Sequence, residues 1–460
     1  MITFSEYYNL KTSCVHNTLI EEGGAYGHMA NLYEDWERTF GELINIFKDS
    51  LRGRIEQVKE KTDGQALAVS YRKGSVLFAR NKGEYMNYGA NSMKGSKDVE
   101  KRFHDHPNGN VRDAFIFAAK DLERAIKSMD DADKTNFFSS IDENGKEVQA
   151  SKWINLEIIW PPSENVIPYN HTLLVLHNFR EYDYDGEVIG GDFNEYAARI
   201  EKKLQEINAH VQDKFTISSM EMLVLPQQED FGAQADRTIQ PLYNLMSTYS
   251  LTEQNRIGDY WVAYFRGVID TQMQNTGYVN SVVASQLATH WAFRSLTKAK
   301  RPHDYDTVGG KMSDIKRQVV DPNFKKWITD TQKSHAIMFE QMLEPIKSAS
   351  IAVGQQVINK MSKLLTLDPA KATRQIRQSM DETIRKIRDT NDEELIAKLD
   401  KQLRYIDKAG GLESIVPTEG LAFTYQPPEV NGVSPPQIVY KYTGVFGPVN
   451  QVLGMIKYGR

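Results

Sequence analysis

Hydrophobic and polar positions along this chain change period several times, and each change marks an element. Between about residues 30 and 60, Trp36, Phe40, Leu43, Ile44, Phe47 and Leu51 recur at helical spacing and predict a helix. The period then falls to two. Gln65 to Tyr71 alternates, Lys73-Gly74 marks a turn, and Ser75 to Ala79 returns, which predicts a β-hairpin. Residues 84–110 are polar and rich in Gly, Asn and His, so they read as loop. Asp113 to Met129 is amphipathic and helical. Trp153 to Trp160 and Thr172 to Phe179 read as strands on either side of a Pro-rich turn. Asn194 to Val211 reads as helix, and Phe215 to Leu225 as a further strand.

From roughly 235 to 408 strand signals nearly vanish. Long charged amphipathic segments replace them, chiefly Glu340 to Leu365 and Ala370 to Ile406. Residues 412–460 return to β character, with Glu419 to Phe423 and Ile438 to Tyr442 as strands joined by a Pro/Gly loop, Gln426 to Gln437. The expected organisation is therefore an N-terminal helical segment (1–60), the first part of an α+β core (61–234), an all-helical insertion (235–408) and the C-terminal strands of the core (409–460).

Composition narrows this picture. A chain of 460 residues with 40% hydrophobic and 25% charged positions is expected to form two or three globular domains. No run of 18 apolar residues exists, so no membrane partner is expected. The N-terminus lacks the basic-then-apolar order of a signal peptide. Cys14 is the single cysteine, which excludes an intrachain disulfide and a cysteine zinc site and points to the cytoplasm. A net charge of −5 argues against a broad basic face, so nucleic-acid contact has to be local. One stretch stands out: Arg294 to Lys326 holds nine Lys or Arg against four Asp or Glu.

The most informative chemistry is Lys61-Thr62-Asp63-Gly64, followed by Phe78-Ala79-Arg80-Asn81-Lys82-Gly83. The first segment puts a lysine at the head of a strand-turn-strand unit, and the second brings Arg80 and Lys82 back on the returning strand, pointing the same way. A lysine beside other cations can lose its proton near neutral pH and act as a nucleophile. Three further residues belong to the pattern. Glu157 is a lone charge inside the apolar strand INLEIIW, Glu419 opens a strand ahead of Gly420, and Lys441 lies in an apolar strand ending at Thr443-Gly444. Each alone also reads as a solvent-facing charge, a turn residue or a snorkelling lysine. His104-Asp105-His106 sits in a polar loop with no third ligand, and His177 and His290 read as core or edge histidines. No P-loop, Rossmann fingerprint or Ser-His-Asp order is present.

Taken in order, KTDG (61–64), LEII (156–159), EGLAF (419–423) and VYKYTG (439–444) resemble the motifs of the covalent nucleotidyltransferase superfamily, the ATP-dependent RNA and DNA ligases and mRNA capping enzymes. ARNKG after the first motif looks closest to the tRNA-repairing phage RNA ligases. Thr443 to Gln451 resembles the TGxFxPxNQ-type tail of a set of phage-encoded proteins of unassigned role. The resemblance implies a mixed, mainly antiparallel nucleotidyltransferase (ATP-grasp-like ligase) core carrying the large helical insertion. It implies that Lys61 attacks ATP to form a lysyl-adenylate, and that Asp63 and Gly64 fix the turn, with Asp63 orienting Lys61. Lys82 and Lys441, with Arg80, would contact phosphate, and the two lysines would favour the neutral amine of Lys61. Glu157 would meet the ribose or a metal-bound water, and Glu419 would hold Mg²⁺. The acceptor would be a 5′-phosphate of RNA, or of DNA, contacted in part by the insertion, in the host cytoplasm if the chain is phage-encoded. The chain departs from the family at Thr443, where a second lysine usually follows Lys441, and no closing β-barrel is expected after that motif. That turns the expectation away from DNA ligases and capping enzymes. The rival expectations are AMP transfer to a protein or small molecule, and a non-catalytic ligase-fold interaction or structural phage protein.

Overall fold

The computed structural model describes residues 31–163, 166–191, 194–219, 223, 225, 232–296, 301–362, 369–429 and 438–458. Cys14, residues 430–437 of the Pro/Gly loop, and Lys298 and Lys300 of the basic stretch lie outside the described residues. The chain is a mixed α and β protein. Its strands are β1 (Glu56–Lys61), β2 (Gln65–Arg72), β3 (Ser75–Ala79), β4 (Met93–Lys94), β5 (Ser139–Ile141), β6 (Glu147–Gln149), β7 (Lys152–Ile159), β8 (Leu173–Tyr182), β9 (Val188–Gly191), β10 (Thr216–Ser219), β11 (Gly420–Tyr425) and β12 (Ile438–Tyr442).

Contacts divide the chain into two units. Among the described residues the first comprises 55–225 and 355–458, and the second 31–54 and 232–354. The helical insertion is thus narrower than the expected 235–408. The helices Pro369–Asp389 and Glu393–Lys408 belong to the sheet-bearing unit. Their Ile376, Met380, Ile387, Leu399 and Ile406 share a core with Ile159 and Val175 of the sheet and Val449 and Val452 of the last helix. That burial, and not chain order, assigns them.

In the first unit the large sheet runs β10-β8-β7-β2-β3-β4, with β9 against β8. All its pairs are antiparallel except β10 with β8. Period-two alternation aims Leu67, Val69, Phe78, Ile154, Leu156 and Ile158 at one face, where Phe115, Ala118, Leu122 and Ile126 of the helix Gly109–Lys127 cover them. Asn108 caps that helix by accepting from the Asn110 and Val111 N–H groups. The opposite face carries two apolar patches, Ala68, Ala79, Tyr85, Trp153 and Tyr182 in one and Ile159 and Val175 in the other. Glu157 lies on the same face, at a position alternate to Ile158.

A second sheet, β1-β11-β12, is antiparallel throughout. Its Val58, Leu421, Phe423, Tyr440 and Tyr442 are buried, and Phe423 stacks on Tyr442 at 4.8 Å. The turn Thr62-Asp63-Gly64 carries the chain from this sheet to the large one.

Two expectations are corrected here. Residues 84–110 are not a loop: Gly95–Phe103 is a helix, held by burial of Val99 and Phe103, and the next helix starts at Gly109. Nor do the last residues stay β, since Phe446–Tyr458 is a helix that buries Val449 and Val452. Pro448 is tolerated because it lies in the first turn, where N–H groups have no helical partner. The second unit is helical, as the loss of strand signals implied. The helix Phe40–Arg52 opens on a capping box between Thr39 and Glu42 and ends at Gly53 in left-handed geometry, φ 74°.

Candidate active site

Lys61 is the last residue of β1, and its register partner on β11 is Gly420. Gly420 has φ +145°, and a Cβ there would fall on the Tyr442 carbonyl oxygen, so only glycine lets the strands close at this point. The residue before it, Glu419, meets Lys61: Nζ to Oε1 is 2.5 Å. Both side chains are mostly buried, with 18% and 19% exposure. Thr418, fully buried, donates to the Lys61 carbonyl at 3.5 Å and accepts from the Gly420 N–H, which ties the two strand ends together.

The turn after Lys61 is clamped by Glu157. Gly64 N–H donates to Glu157 Oε1 at 2.7 Å, Thr62 Oγ1 donates to Oε2, and His177 Nε2 lies 3.0 Å from the same oxygen. Gly64 is required here by close approach. A Cβ on it would sit 2.6 Å from the Ile158 carbonyl oxygen and 2.7 Å from Glu157 Cγ. Asp63 faces the other way. Its Oδ2 accepts from the Val166 and Ile167 N–H groups at 2.9 and 3.2 Å, and its own N–H donates to the Tyr169 hydroxyl at 2.7 Å. Asp63 therefore fastens the β7–β8 loop to the turn, and is not seen orienting Lys61 as the resemblance implied.

Burial shapes the protonation of all three acids. Asp63 is pushed up to about 7, first by burial and then by the charges of Glu419 and Glu157. Glu419 is likewise raised by burial, against the pull of the Lys61 ammonium, with Glu157 adding to the rise. For Glu157 burial also acts upward, but the His177 hydrogen bond and charge, the Lys61 charge and the Thr62 hydroxyl overcome it and hold the carboxylate ionised, below its ordinary range. Three carboxyls within one site thus differ in readiness to take a proton.

Lys441 lies across β11 from the first strand, paired with Ala422, and its charge is felt at Glu419. Lys61, Asp63, Gly64, Glu157, Glu419 and Lys441 are therefore brought together. Arg80 and Lys82 are not seen with them. β3 ends at Ala79, and Lys82 opens the helix Lys82–Gly89. The two do not share one strand face. The Arg80 guanidinium lies over the Phe115 ring at 4.5 Å, and burial together with Arg102 lowers its pKa. Lys82 pairs with Glu187, both side chains being about two-fifths exposed. Of the two cations expected to favour a neutral Lys61, Lys82 is thus engaged elsewhere while Lys441 lies at the site, and a carboxylate is the partner found for Lys61.

His177 was read as a core or edge residue and is a member of the site. β7 and β8 slip register between Asn155 and Leu156, so that Asn155 faces Asn178 and Leu156 faces Leu176. His177 is the extra residue of that bulge, and the bulge aims it at Glu157. A lone histidine one strand away from a lone glutamate was the available signal.

No cage for a bare metal ion exists among the described residues: no group of three or more His, Cys, Asp or Glu converges. Glu157, expected as a ligand, has both oxygens occupied by protein donors. A magnesium ion that arrives with nucleotide phosphates needs only one or two protein carboxylates, and Glu419 is the residue that fits that requirement. His104 is fully at the surface, paired with Asp105.

Comparison of the chain with protein-family models, curated proteins and solved structures finds no match. No described helix is long and apolar enough to cross a membrane.

Proposed function

We propose that this chain is an ATP-dependent nucleotidyltransferase that forms a lysyl-AMP on Lys61 and passes the AMP to the 5′-phosphate of a polynucleotide, as an RNA ligase does. One observation carries the reading. Lys61 and Glu419, more than 350 residues apart in sequence, meet at 2.5 Å beside a turn that Glu157 clamps from a second sheet.

In the first step the Lys61 amine attacks the α-phosphorus of ATP. An N–P bond forms as the bond to the pyrophosphate oxygen breaks. The proton that Lys61 must shed passes to Glu419, which touches it and whose carboxyl is raised by burial. Lys441 stabilises charge on the phosphate oxygens. Magnesium bound with the nucleotide would supply charge neutralisation at the phosphates, and Glu419 in its ionised form, before it takes the Lys61 proton, is the residue that would hold it. In the second step an oxygen of the acceptor 5′-phosphate attacks the same phosphorus, the N–P bond breaks, and Glu419 returns the proton to Lys61. A 3′-hydroxyl oxygen then attacks the 5′-phosphorus, the phosphodiester bond forms as the anhydride bond to AMP breaks, and the hydroxyl proton leaves to solvent. Thr62, Gly64 and His177 act through Glu157, keeping the turn and hence the Lys61 amine in place.

The test is incubation with ATP labelled on the α-phosphate, with Mg²⁺, followed by a denaturing gel. Wild type retains label and Lys61→Ala does not. The retained label is then chased with 5′-phosphorylated RNA, 5′-phosphorylated DNA, and protein. Transfer to RNA supports the ligase, and transfer only to protein supports modification of proteins. Absence of label on wild type with either Mg²⁺ or Mn²⁺, and with GTP as well as ATP, refutes nucleotidyl transfer and leaves an interaction role for the fold.

A further inference from the structure

The resemblance that pointed to Lys61 carries a gap, because Thr443 stands where the family's last strand has a second lysine. The register of the small sheet supplies a replacement. Ala422 on β11 pairs with Lys59 on one side and Lys441 on the other. Lys59, Ala422 and Lys441 therefore form one cross-strand row, with both lysines on the same sheet face. Lys61 and Gly420 form the next row on that face, two residues along. The other face of the sheet is fully buried through Val58, Glu60, Leu421, Phe423, Tyr440 and Tyr442, while Lys59, Lys61 and Lys441 are all half-buried. Three lysines thus stand on one face beside Gly420 and Ala422, whose small size lets the strands lie close.

Lys59 differs from Lys61 in its partner. Lys61 has Glu419, whereas the partner of Lys59 is a main-chain oxygen, the His177 carbonyl at 3.5 Å, and no ion pair to it is found among the described residues. An ammonium on this face with no acidic side chain beside it can take an anionic ligand as its charged partner. We infer that Lys59 is a phosphate-binding residue for the β- and γ-phosphates of the incoming nucleoside triphosphate, and that it supplies from β1 the cation that Thr443 does not supply from β12. This rests on the nucleotidyltransferase reading and deepens it. Lys61 takes the α-phosphate, and Lys59 and Lys441 flank it across Ala422.

The experiment compares wild type, Lys59→Gln and Lys59→Arg. Two quantities are measured for each: the KM for ATP in Lys61 labelling, and the equilibrium Kd for ATP and for AMP by calorimetry. Lys59→Gln raises the KM and Kd for ATP on the order of tenfold, the worth of one hydrogen bond to a charged group. It leaves the Kd for AMP within about twofold, since AMP has no β- or γ-phosphate. Lys59→Arg restores most of the ATP affinity, and adding Thr443→Lys to Lys59→Gln recovers it from the other strand. An unchanged ATP Kd in Lys59→Gln overturns the inference while wild-type labelling still stands. Equal weakening of ATP and AMP also overturns it, because Lys59 would then only support the fold. A wild-type protein that takes no label and binds no ATP overturns the functional reading, and this inference with it.

Discussion

Glu157 and Glu419 are both lone carboxylates attached to apolar strands, yet they end in different states. Glu157 is saturated: a backbone N–H, a hydroxyl and a ring nitrogen occupy its two oxygens, and they hold it ionised. Glu419 faces one lysine, and burial holds it above its usual range. A carboxylate whose lone pairs are filled by fixed donors positions other groups. One that faces a lysine ammonium and has a raised pKa can exchange a proton with it. The contrast divides the site into a clamp and, on the proposed function, a reactive pair, and substitutions should separate the two.

The largest effects are expected where both halves fail together. Gly64→Ala places a methyl against the Ile158 carbonyl and Glu157 Cγ, so the turn must move. Urea unfolding should show a loss of about 1–3 kcal/mol, and Lys61 labelling should fall about a hundredfold because the amine is displaced. Glu419→Gln and Glu157→Gln then split the contributions. Glu419→Gln keeps the shape and removes the proton acceptor. Labelling should drop roughly 10² to 10⁴-fold, with a smaller loss of stability than for Glu157→Gln, because the cost of burying the Glu419 charge offsets most of what its pair with Lys61 contributes. Glu157→Gln turns one acceptor oxygen into a donor facing donors, which should cost about 1–3 kcal/mol of stability. Comparable stability losses for the two variants would end the distinction between clamp and pair.

Asp63 gives a smaller, pH-dependent effect. Its carboxyl is raised from 3.8 to about 7 in the fold, so between those values the folded protein holds a proton that the unfolded chain has released. The stability contributed by the protonated form is fully present below pH 3.8 and is lost as pH rises through about 7. Asp63→Asn keeps an oxygen for the Val166 and Ile167 amides and does not titrate. Its stability should therefore fall less than that of wild type between pH 4 and 7, the gap reaching a few kcal/mol at most. Parallel unfolding curves across that interval would show that Asp63 titrates normally.

What the sequence disclosed, and what it hid, follows the same division. Lys61, Asp63, Gly64, Glu157, Glu419 and Lys441 were singled out by the order of motifs that resembles the nucleotidyltransferase pattern, not by any one window alone, and strand pairing brings them to one place. The bulge that aims His177 was not legible, since register belongs to the pair of strands and not to either one. Nor was the Lys59 row, which exists only once β11 lies between β1 and β12. The helix Gly95–Phe103 was hidden by Gly, Asn and His around it, because two buried side chains, Val99 and Phe103, outweigh the polar composition. The placing of Lys82 on the returning strand failed for a related reason. The alternation of β3 stops at Ala79, and the Asn81 side chain, accepting from the Glu84 N–H at 3.2 Å, starts a helix in its place.

Lys82 therefore offers the mildest test of where the site ends. Its ion pair with Glu187 joins two side chains that are 40% and 45% exposed. Such a pair contributes little, because water screens it and both side chains lose rotamer freedom to form it. Lys82→Ala should change unfolding by about 0.5 kcal/mol or less, by urea titration. It should lower Lys61 labelling by less than about tenfold, far below the effect of Glu419→Gln. A loss in labelling as large as that of Glu419→Gln, with stability intact, would mean that Lys82 leaves Glu187 for the phosphates when nucleotide binds. The reactive pair would then extend to the end of β3, and the boundary drawn between clamp and chemistry would have to include Arg80 and Lys82 after all.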